Sequence, residues 1–139
     1  MNWEISIKND VDELGRVAAL VDSIADELRF SSEQRMDIGL ALDEVASNII
    51  FYAYPDGMEA TIDLKAESDG QKLTFVLSDQ GREFDPTKVV AADMGANPAE
   101  RPLGGMGIFI VKNIMNQVSY QRLQGNNQLT MTYAAENGR

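Results

Sequence analysis

The chain has 139 residues, the length of one ordinary domain, and its 44% apolar content can fill a single core. With 22 acidic residues against 12 basic ones, a net charge of -10, it lacks the basic footprint of a nucleic-acid surface and is ill suited to an anionic membrane face. It has no cysteine and no histidine, which excludes disulfides, thiol and imidazole catalysis, histidine-based zinc sites and a phospho-accepting histidine.

Magnesium, held through oxygens, remains open. The opening MNWEISIKND lacks the basic-then-apolar order of a secretion signal, and no apolar stretch is long enough to span a bilayer. The expected location is the cytoplasm. An acidic chain suits a basic or mixed-charge protein partner.

Trp3, Ile5 and Ile7 alternate with Asn2, Glu4 and Ser6, which predicts a half-buried strand over 2–7. Asn9 or Asp10 can cap the next element, a helix over about 11–29. Its apolar stripe is Val11, Leu14, Val17, Ala18, Val21, Ile24, Ala25 and Leu28. A second helix starts at Ser31-Ser32-Glu33, capped by Ser31 or Ser32, with Glu33 and Asp37 at its positive end. It runs to the breaker Pro55-Asp56-Gly57. On this helix Glu44 and Asn48 lie four apart, on one face, beside Ile38, Leu42, Val45 and Ile49. A carboxylate and an amide next to residues that seek burial need a partner, such as a divalent ion or an activated hydroxyl. A plain solvated helix edge is the competing reading.

Two strands follow, about 58–66 and 72–78, joined by a hairpin-type turn over 67–71 that contains Gly70. Asp79-Gln80-Gly81 closes the second. Residues 80–103 form a long irregular segment with Pro86, Gly95, Pro98 and Pro102, and with a short helix expected over 86–94. A connection of that length is usually functional, often a lid. Gly104-Gly105-Met106-Gly107 then enters a helix whose apolar face is Ile108, Val111, Ile114 (or Met115) and Val118. Strands over 118–124 and 128–134 make a final hairpin around Gly125-Asn126-Asn127. The tail, 136–139, is expected to fray. The order β, α, α, β, β, lid, α, β, β predicts an α+β fold, a two-layer α/β sandwich. Its sheet is expected to be mixed and mostly antiparallel, with helices on one face and polar residues on the other.

Three clusters carry candidate chemistry: Glu44 with Asn48, Asp79 with Gly81, and the glycines at 104–107. A glycine turn entering a helix presents unpaired N–H groups and the positive end of the helix dipole, a phosphate site in principle. An aspartate at a strand end can accept from an exocyclic amine. Each signal alone is weak, and neither GxxxxGK[ST] nor GxGxxG is present.

Together the clusters form three boxes, LDEVASNIIFYAY (42–54), DQGREFDP (79–86) and GGMGIFIVKNIMNQVSY (104–120), followed by NNQLTMTY (126–133). In that order and spacing they resemble the histidine-kinase-like ATPase superfamily, the Bergerat fold. More closely they resemble the bacterial anti-sigma factor serine/threonine kinases of the RsbW and SpoIIAB type. The resemblance covers nearly all of residues 5–134. It implies one ATPase domain over 1–139 with a lid over roughly 80–103, and ATP and Mg²⁺ as cofactors. It implies an anti-sigma factor that transfers the γ-phosphate to an anti-sigma factor antagonist and also binds an RNA polymerase sigma factor. Such a protein regulates transcription, for instance in a stress response, without touching nucleic acid or membrane, and as a homodimer. In the roles it implies, Glu44 is the general base and Asn48 holds Mg²⁺. Asp79 accepts from the adenine amine and Gly81 gives the ring room. Gly105 and Gly107, with Gly104 and Met106 between and beside them, cradle the phosphates. Arg101 or Lys88 pairs with the γ-phosphate. The sequence departs from the family pattern at Tyr52, Glu83, Asn116 and Gln128, the last standing where a threonine near the adenine is frequent. The alternative reading is a non-catalytic protein of the same fold that sequesters a partner.

Overall fold

The computed structural model describes residues 1–55, 57–85 and 107–134. The expectations for 86–94, Lys88, Arg101, Gly104, Gly105, Met106 and the tail lie outside them. Strand β1 (Asn2–Lys8) is followed by a 3-10 turn at Val11–Glu13, helix α1 (Leu14–Leu28) and helix α2 (Ser32–Tyr52). Strands β2 (Thr61–Ser68) and β3 (Lys72–Asp79) precede helix α3 (Gly107–Ile114), and strands β4 (Gln117–Leu123) and β5 (Asn126–Ala134) close the order.

Local chemistry sets the element ends. Asp10 caps the 3-10 turn by accepting from the Asp12 N–H at 2.9 Å. The predicted first helix therefore opens as 3-10 and becomes α only at Leu14. Of the two candidate serines, Ser31 caps α2: its hydroxyl accepts from the Gln34 N–H at 3.1 Å, and the Gln34 side chain accepts from the Ser31 N–H at 2.8 Å. This reciprocal pair satisfies two donors that the first turn would otherwise leave open. Asn9 ties the end of β1 to the approach to β2, donating to the Met58 carbonyl and accepting from the Ala60 N–H. Residues 58–60 are thus engaged as a connection, and β2 begins at Thr61 rather than at the predicted 58.

The five strands form one sheet in the order β1-β2-β3-β5-β4, and every pairing among them is antiparallel. Side chains of one parity form the core: Ile62, Leu64 and Ala66 from β2, Leu73, Phe75 and Leu77 from β3, and Leu129, Met131 and Tyr133 from β5. They merge with Val17, Val21 and Ile24 of α1, Ile38, Leu42, Val45 and Ile49 of α2, and Ile108 and Val111 of α3 in one cluster. The α+β sandwich with helices on one face is as the sequence predicts. The opposite parity, including Glu4, Lys65 and Glu67, faces solvent.

The last turn begins one residue earlier than its composition suggests, and β5 starts two residues earlier. Gln124 (φ 52) and Gly125 (φ 81) make the turn, with Leu123 opposite Asn126. Two successive positive-φ residues suit the right-handed twist of a two-residue hairpin. Asn126 and Asn127, expected in the turn, are therefore the first residues of β5.

Candidate functional site

The core-facing parity of the sheet does not stop at its apolar rows. Two residues beyond Leu77 it reaches Asp79, and two before Leu129 it reaches Asn127. Asp79 stands opposite Asn127, and Asn127 opposite Arg122 of β4. A polar row thus continues the apolar face at one end of the sheet.

Asp79 is only 4% exposed. Its Oδ1 accepts from the Gly81 N–H and from the Asn127 amide, both at 2.9 Å. Among the described residues no donor reaches its Oδ2. Burial raises the Asp79 pKa above the ordinary carboxylate value, against the opposing effects of those two hydrogen bonds and the Arg122 charge.

The chain beyond Asp79 is fastened to the end of α2. The Gln80 N–H donates to the Tyr54 hydroxyl at 2.9 Å, and the Arg82 N–H to the Ala53 carbonyl at 2.8 Å. Arg82 Nε donates to the Tyr52 carbonyl at 2.5 Å. Gly81 sits against Ala53 so closely that a Cβ would lie 2.3 Å from the Ala53 carbonyl oxygen. The family resemblance implies that Gly81 gives a ring room; the Ala53 contact supplies a packing reason for the glycine as well. Tyr54 is buried, which raises its hydroxyl pKa, with the Asp79 and Asp63 charges adding to the rise.

Glu44 and Asn48 lie on α2, upstream of that junction. Asn48 is 6% exposed, and among the described residues neither end of its amide has a hydrogen-bond partner. Such a group is uncommon in a folded protein and needs an explanation. Glu44 is half-buried; desolvation, with a smaller effect from Asp43, raises its pKa. α2 also packs against α3, whose first residue is Gly107, the last of the glycine cluster. The stretch after Asp79 is thus fastened to the end of the helix that bears Glu44 and Asn48, and Gly107 opens the helix packed beside it.

A divalent ion is compatible with these residues. Among the described residues no group of three acidic ligands exists that could cage a metal alone. The unpartnered Asn48 oxygen is the kind of single hard donor that magnesium takes when phosphates and waters complete its shell.

The departures from the family pattern are placed as follows. Glu83 is exposed, and the ring of Tyr52 packs against Phe84 at 6.0 Å between centroids. Asn116 accepts from the Ala134 N–H at 2.8 Å, tying α3's exit to the end of β5. Gln128 lies on the outer face, where its side chain accepts from Gln121 at 2.7 Å. Neighbouring strand residues point to opposite faces, so Asn127, not Gln128, looks into the site.

Asn127, Arg122 and Tyr120 are absent from the sequence-predicted site. The Asn127 amide donates to Asp79 and to the Arg82 carbonyl at 2.8 Å. Its oxygen accepts from Arg122 at 3.1 Å, from the Phe84 N–H at 3.4 Å and from the Tyr120 hydroxyl. Arg122 also donates to the Gly81 carbonyl at 2.7 Å. Burial raises the Tyr120 pKa. The period of two set by Leu129, Met131 and Tyr133, extended backwards, was the signal that marks Asn127.

Among the described residues no helix is long and apolar enough to cross a membrane. Residues 7–133 match the family model described as the histidine kinase-like ATPase domain. The chain is 29% identical over 135 residues to a serine/threonine-protein kinase BtrW from Bordetella bronchiseptica, covering 92% of this chain and 95% of that one. It is 24% identical over 127 residues to a serine-protein kinase RsbW from Halalkalibacterium halodurans, covering 88% of this chain and 76% of that one. A crystal structure of RsbU and RsbW domains from Mycobacterium tuberculosis superposes with a TM-score of 0.69 at 14% identity. That match covers 96% of this chain, which spans 32% of the longer structure.

Proposed function

The chain belongs to the histidine kinase-like ATPase domain family, and from that premise we propose that it is a cytoplasmic anti-sigma factor with serine/threonine kinase activity. Its cofactors in this reading are ATP and Mg²⁺, and its protein substrate is an anti-sigma factor antagonist. Its other partner is an RNA polymerase sigma factor, and the active unit is a homodimer. One observation carries the reading. Gly81, two residues beyond Asp79, packs on Ala53 at the end of the helix that bears Glu44 and Asn48. A carboxylate able to accept an adenine amine is thus fastened, through the chain that follows it, to the helix that carries the residues for phosphate chemistry.

Asp79 Oδ2 accepts from the adenine amine, since Oδ1 is already committed to Gly81 and Asn127. Asn48 holds Mg²⁺ through its side-chain oxygen. The ion, when bound, neutralises charge on the phosphate oxygens. In this reading the glycines at 104, 105 and 107, with Met106, would cradle the phosphates, and Arg101 or Lys88 would pair with the γ-phosphate.

Glu44 accepts the proton from the substrate serine or threonine hydroxyl. The hydroxyl oxygen forms the new bond to the γ-phosphorus as the bond from that phosphorus to the β–γ bridging oxygen breaks, and ADP leaves with the electron pair. A carboxyl whose pKa burial raises above the ordinary value is a stronger base for this step than an exposed glutamate. The residues contribute chiefly position and charge, which is what phosphoryl transfer requires.

The test is transfer of label from γ-labelled ATP to the cognate antagonist. Transfer that Glu44→Gln removes supports the reading. Nucleotide binding without transfer points to the partner-sequestering alternative.

A further inference from the structure

We propose that Asn127 is the positioning residue that makes the Asp79 site selective for a 6-amino purine, working as the centre of a latch between the β4–β5 hairpin and residues 81–84. The proposal deepens the nucleotide reading above and rests on it.

Asn127 is 4% exposed and its amide is fully engaged. Both Nδ2 protons have acceptors, Asp79 Oδ1 and the Arg82 carbonyl. Its oxygen takes the Arg122 guanidinium, the Tyr120 hydroxyl and the Phe84 N–H. An amide with two donors and two lone pairs has nothing left for a ligand. Asn127 therefore acts on a purine through Asp79.

Its effect on Asp79 is specific. By donating to Oδ1 it fixes which oxygen stays inside the protein and which one, Oδ2, is left with acceptor capacity only. It also favours the ionised carboxylate against the burial that opposes ionisation. An Oδ2 oriented in this way as an acceptor attracts an exocyclic N–H and repels a 6-oxo group, whose oxygen would face it with no proton between them. The cost of such a mismatch in a buried site is the basis of large discrimination. The second half of the latch holds the backbone next to Asp79. Arg122 grips the Gly81 carbonyl at 2.7 Å, while Asn127 grips the Arg82 carbonyl at 2.8 Å and the Phe84 N–H at 3.4 Å. The exit from β3 is thereby fixed from β4 and β5 as well as from α2.

The test compares binding of ATP and of inosine triphosphate, which carries a carbonyl in place of the 6-amine, by calorimetry. Wild type is expected to prefer ATP, and Asn127→Leu to lose about tenfold of that preference, the scale of one hydrogen bond to a charged group. Thr130→Val, on the outward face of the same strand, is expected to keep it. A folded Asn127→Leu that retains the wild-type preference overturns the proposal. If Asn127→Leu does not fold, Arg122→Gln, at an exposed strand position, is expected to lower the preference about threefold, and an unchanged ratio there overturns it equally. Amide hydrogen exchange on ligand-free protein separates the two possible failures. Gly81 and Phe84 should exchange faster in Asn127→Leu than in wild type. A wild type that binds neither nucleotide sinks the functional reading and the purine half of the proposal with it, and exchange then decides the latch: faster exchange upholds it, unchanged exchange ends it.

Discussion

A Cβ added to Gly81 would stand 2.3 Å from the carbonyl oxygen of Ala53 and 2.7 Å from its Cβ. The neighbour is backbone at the end of a long helix, so it cannot swing aside as a flexible side chain would. Gly81→Ala is expected to cost about 2 kcal/mol of stability, the usual scale of overpacking. It should also displace Asp79 and weaken ATP binding. Denaturant unfolding with calorimetry on the same samples checks both. A variant of wild-type stability would show that the junction yields freely.

Asn48 gives the opposite expectation. Its amide is buried among the described residues without a hydrogen bond, a state that costs about 1–3 kcal/mol relative to a satisfied one. Asn48→Leu, similar in volume, should melt no lower than wild type in the absence of ligand. Its ATP affinity should lose the dependence on Mg²⁺ that wild type shows. A marked fall in the ligand-free melting temperature would mean that the amide has a structural partner.

Glu44→Gln keeps the side-chain shape and removes the proton acceptor. Transfer to the antagonist should fall about a hundredfold or more, with ATP affinity close to wild type. The wild-type rate should also decline on acidification with a midpoint above about 4.3, the ordinary glutamate value, because burial and Asp43 raise the Glu44 pKa. A rate–pH profile at saturating ATP measures this, and a flat acid limb would remove Glu44 from the role of base.

For Asp79 the pKa shift has a consequence for stability. The folded state holds the Asp79 proton more tightly than the unfolded chain does. Stability from this group is therefore greatest at low pH. It is lost as pH rises through the unfolded value, about 3.9, towards the raised folded value. Asp79→Asn keeps an oxygen for Gly81 and Asn127 and cannot ionise. Its melting temperature relative to wild type should climb across that window and level off above it. A difference that falls as pH rises would mean that the hydrogen bonds from Asn127 and Gly81 outweigh burial.

Much of this was legible in the sequence because it depends on periodicity. The stripe Val17, Val21, Ile24 placed α1, and the alternation of Trp3, Ile5 and Ile7 placed β1. Glu44 and Asn48 stood out as polar residues beside positions that seek burial, and Asp79 as an acid at a strand end. What composition concealed was turn chemistry. Gly125-Asn126-Asn127 is a natural turn sequence, yet Gln124 accepts positive φ and moves the turn forward. That shift carried Asn127 from a loop into the centre of the polar row. It sets Asn127 opposite Asp79 and leaves Gln128 opposite Ser78. The network at Arg122 and Tyr120 depends on register between β4 and β5, and register follows from the same turn.

The account stands or falls on whether this end of the molecule binds nucleotide through Asp79. Calorimetric titration of wild type and of Asp79→Asn with ATP in the presence of Mg²⁺ measures it directly. Saturable heat for wild type, accompanied by a rise in melting temperature, with both lost or strongly weakened in Asp79→Asn, is the predicted result. No heat and no melting shift for wild type, or equal affinity in the two proteins, would contradict it.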